Sequence, residues 1–120
     1  LFEATGDTRW RQQAATLADT AVLRFWDVPS GGFLVADRKQ PPLPWPAKTA
    51  RDADLPSAAG VMASVLSRLG ATAEKRYADL SRKTINAFLD EAARDPRGME
   101  TLAAAAADGL RLAGKVEARE

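Results

Sequence analysis

The sequence contains no cysteine and no histidine. Without cysteine there are no disulfides, no thiolate metal sites and no thiol nucleophile. Without histidine the commonest general base and the commonest metal ligand are missing as well. No metal site and no cofactor are expected of these residues. An excess of one charge is lacking too: 17 basic and 16 acidic side chains leave a net charge of +1, with the two signs interspersed. Neither a nucleic-acid footprint nor a membrane-surface one follows. Long apolar runs are also missing. The longest, Leu102 to Ala107, is closed by Asp108 and Arg111 and falls far short of the roughly 20 residues that span a bilayer, so no membrane segment is expected. The opening Leu1-Phe2-Glu3-Ala4 carries no basic-then-apolar leader, and it reads as though cut from something longer; a cytoplasmic location is the expectation.

Alanine is abundant, at 25 residues, within an apolar content of 46% and a charged content of 28%. This is the balance of an ordinary globular domain with a thin core, since each alanine buries little surface. The patterning is helical. Leu1 to Thr5 reads as a last helical turn, Gly6-Asp7 as a turn, and Asp7 or Thr8 as the cap of a new helix. In that helix Trp10, Ala14, Leu17, Ala18, Ala21 and Phe25 share one face. Residues 26–55 read as a long loop: Pro29, Ser30, Gly31 and Gly32 make a turn, Phe33-Leu34-Val35 is a short strand candidate for a β-hairpin, and Pro41, Pro42, Pro44 and Pro46 forbid a helix. A helix is expected from Pro56-Ser57 to Gly70, with Gly70 as terminator, another from about Ala73 to Arg94, stopped by Asp95-Pro96, and a last one from Met99 to Ala113. Its inner stripe is expected at Leu102, Ala103, Ala106 and Leu110, and the run Ala103 to Ala107 suits a close helix contact. These elements make one helical domain over residues 1–114, followed by a charged tail at 115–120 that is expected to fray.

An internal repeat underlies this order. A helix end, a glycine turn, an acidic residue, arginine plus a large aromatic, and a long amphipathic helix ending in phenylalanine occur twice, with Trp10 matched to Tyr77 at an offset of 67 residues. The first-turn aromatic is suited to wedge against the previous helix. Such a unit needs neighbours to cover its face, as in solenoids or closed rings of hairpins. The tetratricopeptide pattern fails, because neither copy has its spacing. A small bundle of two antiparallel helix pairs is the simpler alternative.

Thr5-Gly6-Asp7-x-Arg9-Trp10, Phe25-Trp26-Asp27, Gly31-Gly32-Phe33, Pro56-Ser57 and Arg76-Tyr77, in this order, resemble the C-terminal part of the thioredoxin-domain-containing proteins related to spermatogenesis-associated protein 20. The resemblance covers most of the chain, approximately residues 1–110. It implies an N-terminal thioredoxin-like domain followed by a six-hairpin α/α toroid similar to those of N-acylglucosamine 2-epimerases and several glycoside hydrolases. This chain would then be the last portion of the toroid, and its partners would be the upstream hairpins and the thioredoxin-like domain of the same protein. The family pattern Lys-Asp-x-x-Asp-Gly-Ala-x-Pro-Ser-Gly-Asn is matched by Lys48, Asp52, Pro56 and Ser57. Thr49, Ala53, Asp54, Ala58 and Ala59 depart from it.

Candidate site residues cluster in and around the long loop. Asp52 and Asp54 are the carboxylate pair that glycoside chemistry would require, but their position before a helix suits capping or solvent exposure better. Asp27 is a candidate ligand residue or a helix-terminating turn residue. Trp26, Phe33 and Trp45 are a candidate stacking platform for a sugar ring, or aromatics that pin the loop. Lys48 could meet a carboxylate or phosphate. Ser57 has no histidine to activate it and is better suited as a helix cap. Two functions compete: a toroid segment contributing to a carbohydrate-type pocket, and a non-catalytic helical interaction or scaffold module. A ring fragment of this kind would expose faces its neighbours cover, so a homodimer is one expected outcome.

Overall fold

A computed structural model describes residues 1–41, 44 and 48–119. Pro42, Trp45 and Pro46 of the loop lie outside the described residues. Six α-helices follow in order: α1 (Phe2–Thr5), α2 (Thr8–Phe25), α3 (Ala58–Thr72), α4 (Lys75–Asn86), α5 (Leu89–Arg94) and α6 (Glu100–Arg119). The architecture is all-α and built of helical hairpins, as the periodicity predicts. Caps locate the starts of the two longest helices before the final one. The Asp7 carboxylate accepts the Arg9 amide at 3.0 Å, and the Ser57 hydroxyl accepts the Gly60 amide at 3.2 Å.

The expected strand at Phe33-Leu34-Val35 does not form. The described residues hold a single antiparallel bridge, Trp26 to Phe33. Around it the Asp27 amide donates to the Gly32 carbonyl at 2.9 Å and the Leu34 amide to the Phe25 carbonyl at 2.7 Å. The Arg38 amide then donates to the Arg24 carbonyl at 2.8 Å. The segment thus folds back over the carbonyl end of α2, and its bonding groups are taken up there instead of along a strand edge.

Gly70 does not terminate α3, which runs on to Thr72. A β-carbon at Gly70 would lie 2.6 Å from the backbone nitrogen and the β-carbon of Ala78, so the glycine permits α4 to cross α3 closely. Gly60 does the same for α6, since a β-carbon there would come within 2.9 Å of the Leu102 backbone nitrogen. The helix expected over 73–94 is interrupted at Ala87-Phe88. There the Phe88 amide switches to the Ile85 carbonyl at 3.1 Å, one residue short of α-helical pairing. The break turns Phe88 into the core, where it is buried with Ala50, Ala59, Met99 and Leu102. Among the described side chains of α6 the buried positions are Leu102 and Ala105, while Ala103 is exposed and Leu110 is 78% exposed. The stripe is rotated from the expected one because Gly109 faces Ser67 of α3, 3.2 Å from where its β-carbon would stand. The helix also continues past Ala113 to Arg119, through a stretch with no proline to stop it.

Helix α3 is central. It packs extensively on α4 and α6 and lightly on α2. One apolar cluster joins Ala59 and Ala63 of α3 to Phe88, Met99, Leu102 and Ala105; the other joins Leu66 and Leu69 to Ala18, Phe33 and Tyr77. Between α3 and α4 the buried Ser81 hydroxyl donates to the Ala63 carbonyl at 2.7 Å, so Ser67 must donate to Ser81 across their 2.7 Å contact. On α2 the covered stripe is Ala14, Ala18, Ala21, Val22 and Phe25. Trp10 and Leu17, expected on that face, are 38% and 72% exposed, because α2 meets the body through its alanines and leaves the flank open.

Candidate functional site

The described loop residues Trp26, Asp27, Phe33, Lys48 and Asp52, with Ser57, lie toward the end of the molecule where α3 begins. They fall into two groups. In the first, the tight reversal at Gly31 and Gly32 requires positive φ at both, 76° and 84°. Asp27, just before the reversal, binds Lys48 at 2.8 Å. Lys48 Nζ also donates to the Gly31 carbonyl at 2.9 Å. Lys48 is therefore a clasp across the loop, with its charge neutralised by Asp27 and both side chains largely withdrawn from solvent. Trp26 packs edge-on against Phe33, with ring centroids 5.3 Å apart and planes at 83°. Phe33 is buried, so it offers no face to a sugar. Trp26 lines a shallow recess of about 380 Å³ with Pro29, Gly31, Lys83 and Asn86. Trp45 lies outside the described residues.

The second group centres on Asp52. One carboxylate oxygen accepts the Ser57 amide at 2.7 Å and the other accepts the Thr101 amide at 2.9 Å, while the Asp52 amide donates to the Gly98 carbonyl at 2.6 Å. One side chain thus ties together the starts of α3 and α6, two sites where unpaired N–H groups favour an anion. Those backbone N–H groups of Thr101 and Ser57 hold the Asp52 carboxyl at about 2, well below the usual carboxylate range. Ser57 in turn caps α3 through its hydroxyl, as sequence suggested it could.

Asp54 stands apart from this network and is exposed. It borders a recess of about 340 Å³ with Phe33, Val35, Thr49, Arg51 and Leu55. Sequence reasoning passed over Arg51, whose guanidinium donates to Glu91 at 2.9 Å, to the Arg97 carbonyl at 2.6 Å and to the Asp95 carbonyl at 3.3 Å. It fastens the loop to α5 and to the turn before α6. All these partners lie 40 or more residues away along the chain, so no local pattern signals them.

Chemically, this end of the molecule offers a carboxylate held in its ionised form, an ion-paired Asp27 and Lys48, and a rim carboxylate at Asp54 that has no ion-pair partner among the described residues. Among the described residues no group of three or more acidic side chains is placed to hold a metal ion. No helix among them is long and apolar enough to cross a membrane.

Over 98 residues the chain is 34% identical to spermatogenesis-associated protein 20 of Homo sapiens. The similarity supports relatedness. It takes in 80% of this chain and 12% of that relative, so the chain spans a small part of the relative's length. No family model and no solved structure matches the chain.

Proposed function

We propose that this chain is a non-catalytic helical-hairpin segment of a longer protein related to spermatogenesis-associated protein 20, of the α/α-toroid kind that the family resemblance implies. Its loop end frames a recess and supplies no reacting group. The observation supporting this reading is the engagement of Asp52, both of whose oxygens accept N–H groups from two helix starts. A glycosidase-type general acid requires a carboxyl raised toward neutrality, usually by burial in apolar surroundings. Asp52 has the opposite environment, and Asp27 is held by Lys48. On this reading any reaction belongs to the upstream hairpins and any redox role to a thioredoxin-like domain, the two partners that the resemblance implies.

A second reading is favoured by the recess at Asp54. Apolar walls from Val35 and Leu55, with a carboxylate and a guanidinium at the rim, are suited to a carbohydrate that stacks an apolar face and offers hydroxyls at its edge. The two readings separate in one experiment. The chain is titrated with a panel of simple sugars and sugar acids at millimolar concentrations, followed by tryptophan fluorescence and by the amide resonances of Arg51 and Asp54. The structural reading expects no saturable change. A saturable response abolished by Asp54→Ala would replace it with the carbohydrate reading.

A further inference from the structure

The flank of α2 carries an open crevice of about 360 Å³, with Phe2, Trp10, Leu17, Val65 and Leu69 in its walls. It borders Trp10 of the first copy of the repeated unit. Asp7, Arg9 and Trp10 recur 67 residues later as Glu74, Arg76 and Tyr77. In both copies the acidic residue before the helix holds the arginine, Asp7 to Arg9 at 2.7 Å and Glu74 to Arg76 at 2.8 Å. Among the described residues the second copy alone has a third member, and it comes from another helix. Asp19 of α2 accepts from Arg76 at 2.9 Å and from the Tyr77 hydroxyl at 3.0 Å, while Ala14, Ala18 and Ala21 of α2 pack into the cluster that buries Tyr77. The first copy presents the same chemistry. Arg9 is a guanidinium with 81% of its side chain exposed, and Trp10, like tyrosine, carries a hydrogen-bond donor on a large ring.

We propose that the face formed by Arg9, Trp10 and Leu17 docks an amphipathic helix with an alanine-rich stripe and a carboxylate that pairs with Arg9, supplied by a further hairpin of the longer protein. This rests on the reading of the chain as a segment. Two observations favour that occupant over a second copy of this chain. Within the chain two helices carry alanines beside a carboxylate: the stripe of α2 is already seated on the body, and in α6 Asp108 is already paired with Arg68 and Arg111. The aligned stretch also covers 12% of the related protein, so a protein of that kind holds ample further polypeptide. Helix-in-groove recognition of this form sets affinity by the apolar stripe and register by the ion pair.

The test uses a synthetic peptide of residues 7–26, stapled on its outer face to hold it helical, titrated into the isotope-labelled 120-residue chain. The expected result is a saturable shift of the Trp10 indole and Leu17 methyl resonances. Arg9→Glu weakens binding about 10-fold, in keeping with loss of one charge-assisted bond, and an Asp19→Lys peptide restores it. Trp10→Ala abolishes binding while leaving the remaining amide spectrum unchanged. Shifts confined to Arg76 and Tyr77 would mean that the peptide displaces α2 itself, and would overturn the proposal. So would the absence of any shift at millimolar peptide, or a stable homodimer in sedimentation that buries Trp10. A sugar response at Asp54 would overturn the non-catalytic reading through a different set of resonances and would leave the docking at Trp10 and Leu17 to its own test, so the two failures are distinguishable.

Discussion

Tyr77 and Trp10 occupy matched positions at the start of α4 and α2, yet Tyr77 is 1% exposed and Trp10 is 38% exposed. Tyr77 has a helix over it. Its hydroxyl is bonded to Asp19, its ring lies under the Arg76 guanidinium at 4.2 Å, and burial together with the Asp19 bond raises its pKa. Trp10 has a similar arginine and acidic residue beside it and, among the described residues, no covering helix. The difference teaches that the aromatic at the start of a hairpin's second helix is fully buried where a helix from outside the hairpin joins its own partner helix over it: Ala18 of α2 closes on Tyr77 together with Leu66 and Leu69 of α3.

The comparison can be broken most directly by truncation. Tyr77→Ala should cost about 3–5 kcal/mol, as for other large buried aromatics, whereas Trp10→Ala should cost about 1 kcal/mol or less. Urea unfolding of the two variants measures both, and equal losses would erase the asymmetry. The two glycines of the repeated unit should differ next. Gly70→Ala forces a β-carbon onto Ala78 and should destabilise by about 1–3 kcal/mol, outweighing the gain of alanine in a helix. At Gly6 the φ of 71° makes alanine strained in open space, and Gly6→Ala should cost about 1 kcal/mol. Thermal melts of the two variants test the ordering.

A third expectation concerns pH. The Asp52 carboxyl is held at about 2 in the folded chain, below its unfolded value near 3.9. Its contribution is therefore fully present above about pH 4 and is lost as pH falls through about 2. Asp52→Asn should lower the melting temperature at pH 7 and flatten the decline of stability between pH 4 and 2. An unchanged acid limb would show that the double cap contributes little. The smallest effect is expected at Ser57→Ala, which removes one cap on α3 at a cost of about 1 kcal/mol or less, read in the same melts.

Much of the fold was legible because helical periodicity and capping are local. The α2 start at Asp7, the α3 start at Ser57 and the proline-marked end of α5 follow from near neighbours in sequence. Two of the departures share a cause. Gly70 looked like a stop because glycine commonly ends helices, and the helix 73–94 looked continuous because its apolar stripe is. Both were overruled by a partner helix, Ala78 against Gly70 and the Phe88 cluster against the break at Ala87. The site was legible in part. The Pro56-Ser57 cap and the preference of Asp52 for a helix start could be read locally, but the reach of Asp52 to Thr101, the Asp27–Lys48 pair and the clasp of Arg51 could not.

By itself the sequence determined an all-helical chain without thiol or imidazole chemistry, carrying a repeated acid–arginine–aromatic unit, since composition and short-range spacing settle such matters. Tertiary structure alone decided which copy of the unit is covered, which glycine is a crossing point and which aspartate is locked in its ionised form. Those outcomes depend on groups that are distant in sequence and adjacent in space, where close packing and desolvated hydrogen bonds outweigh local preference.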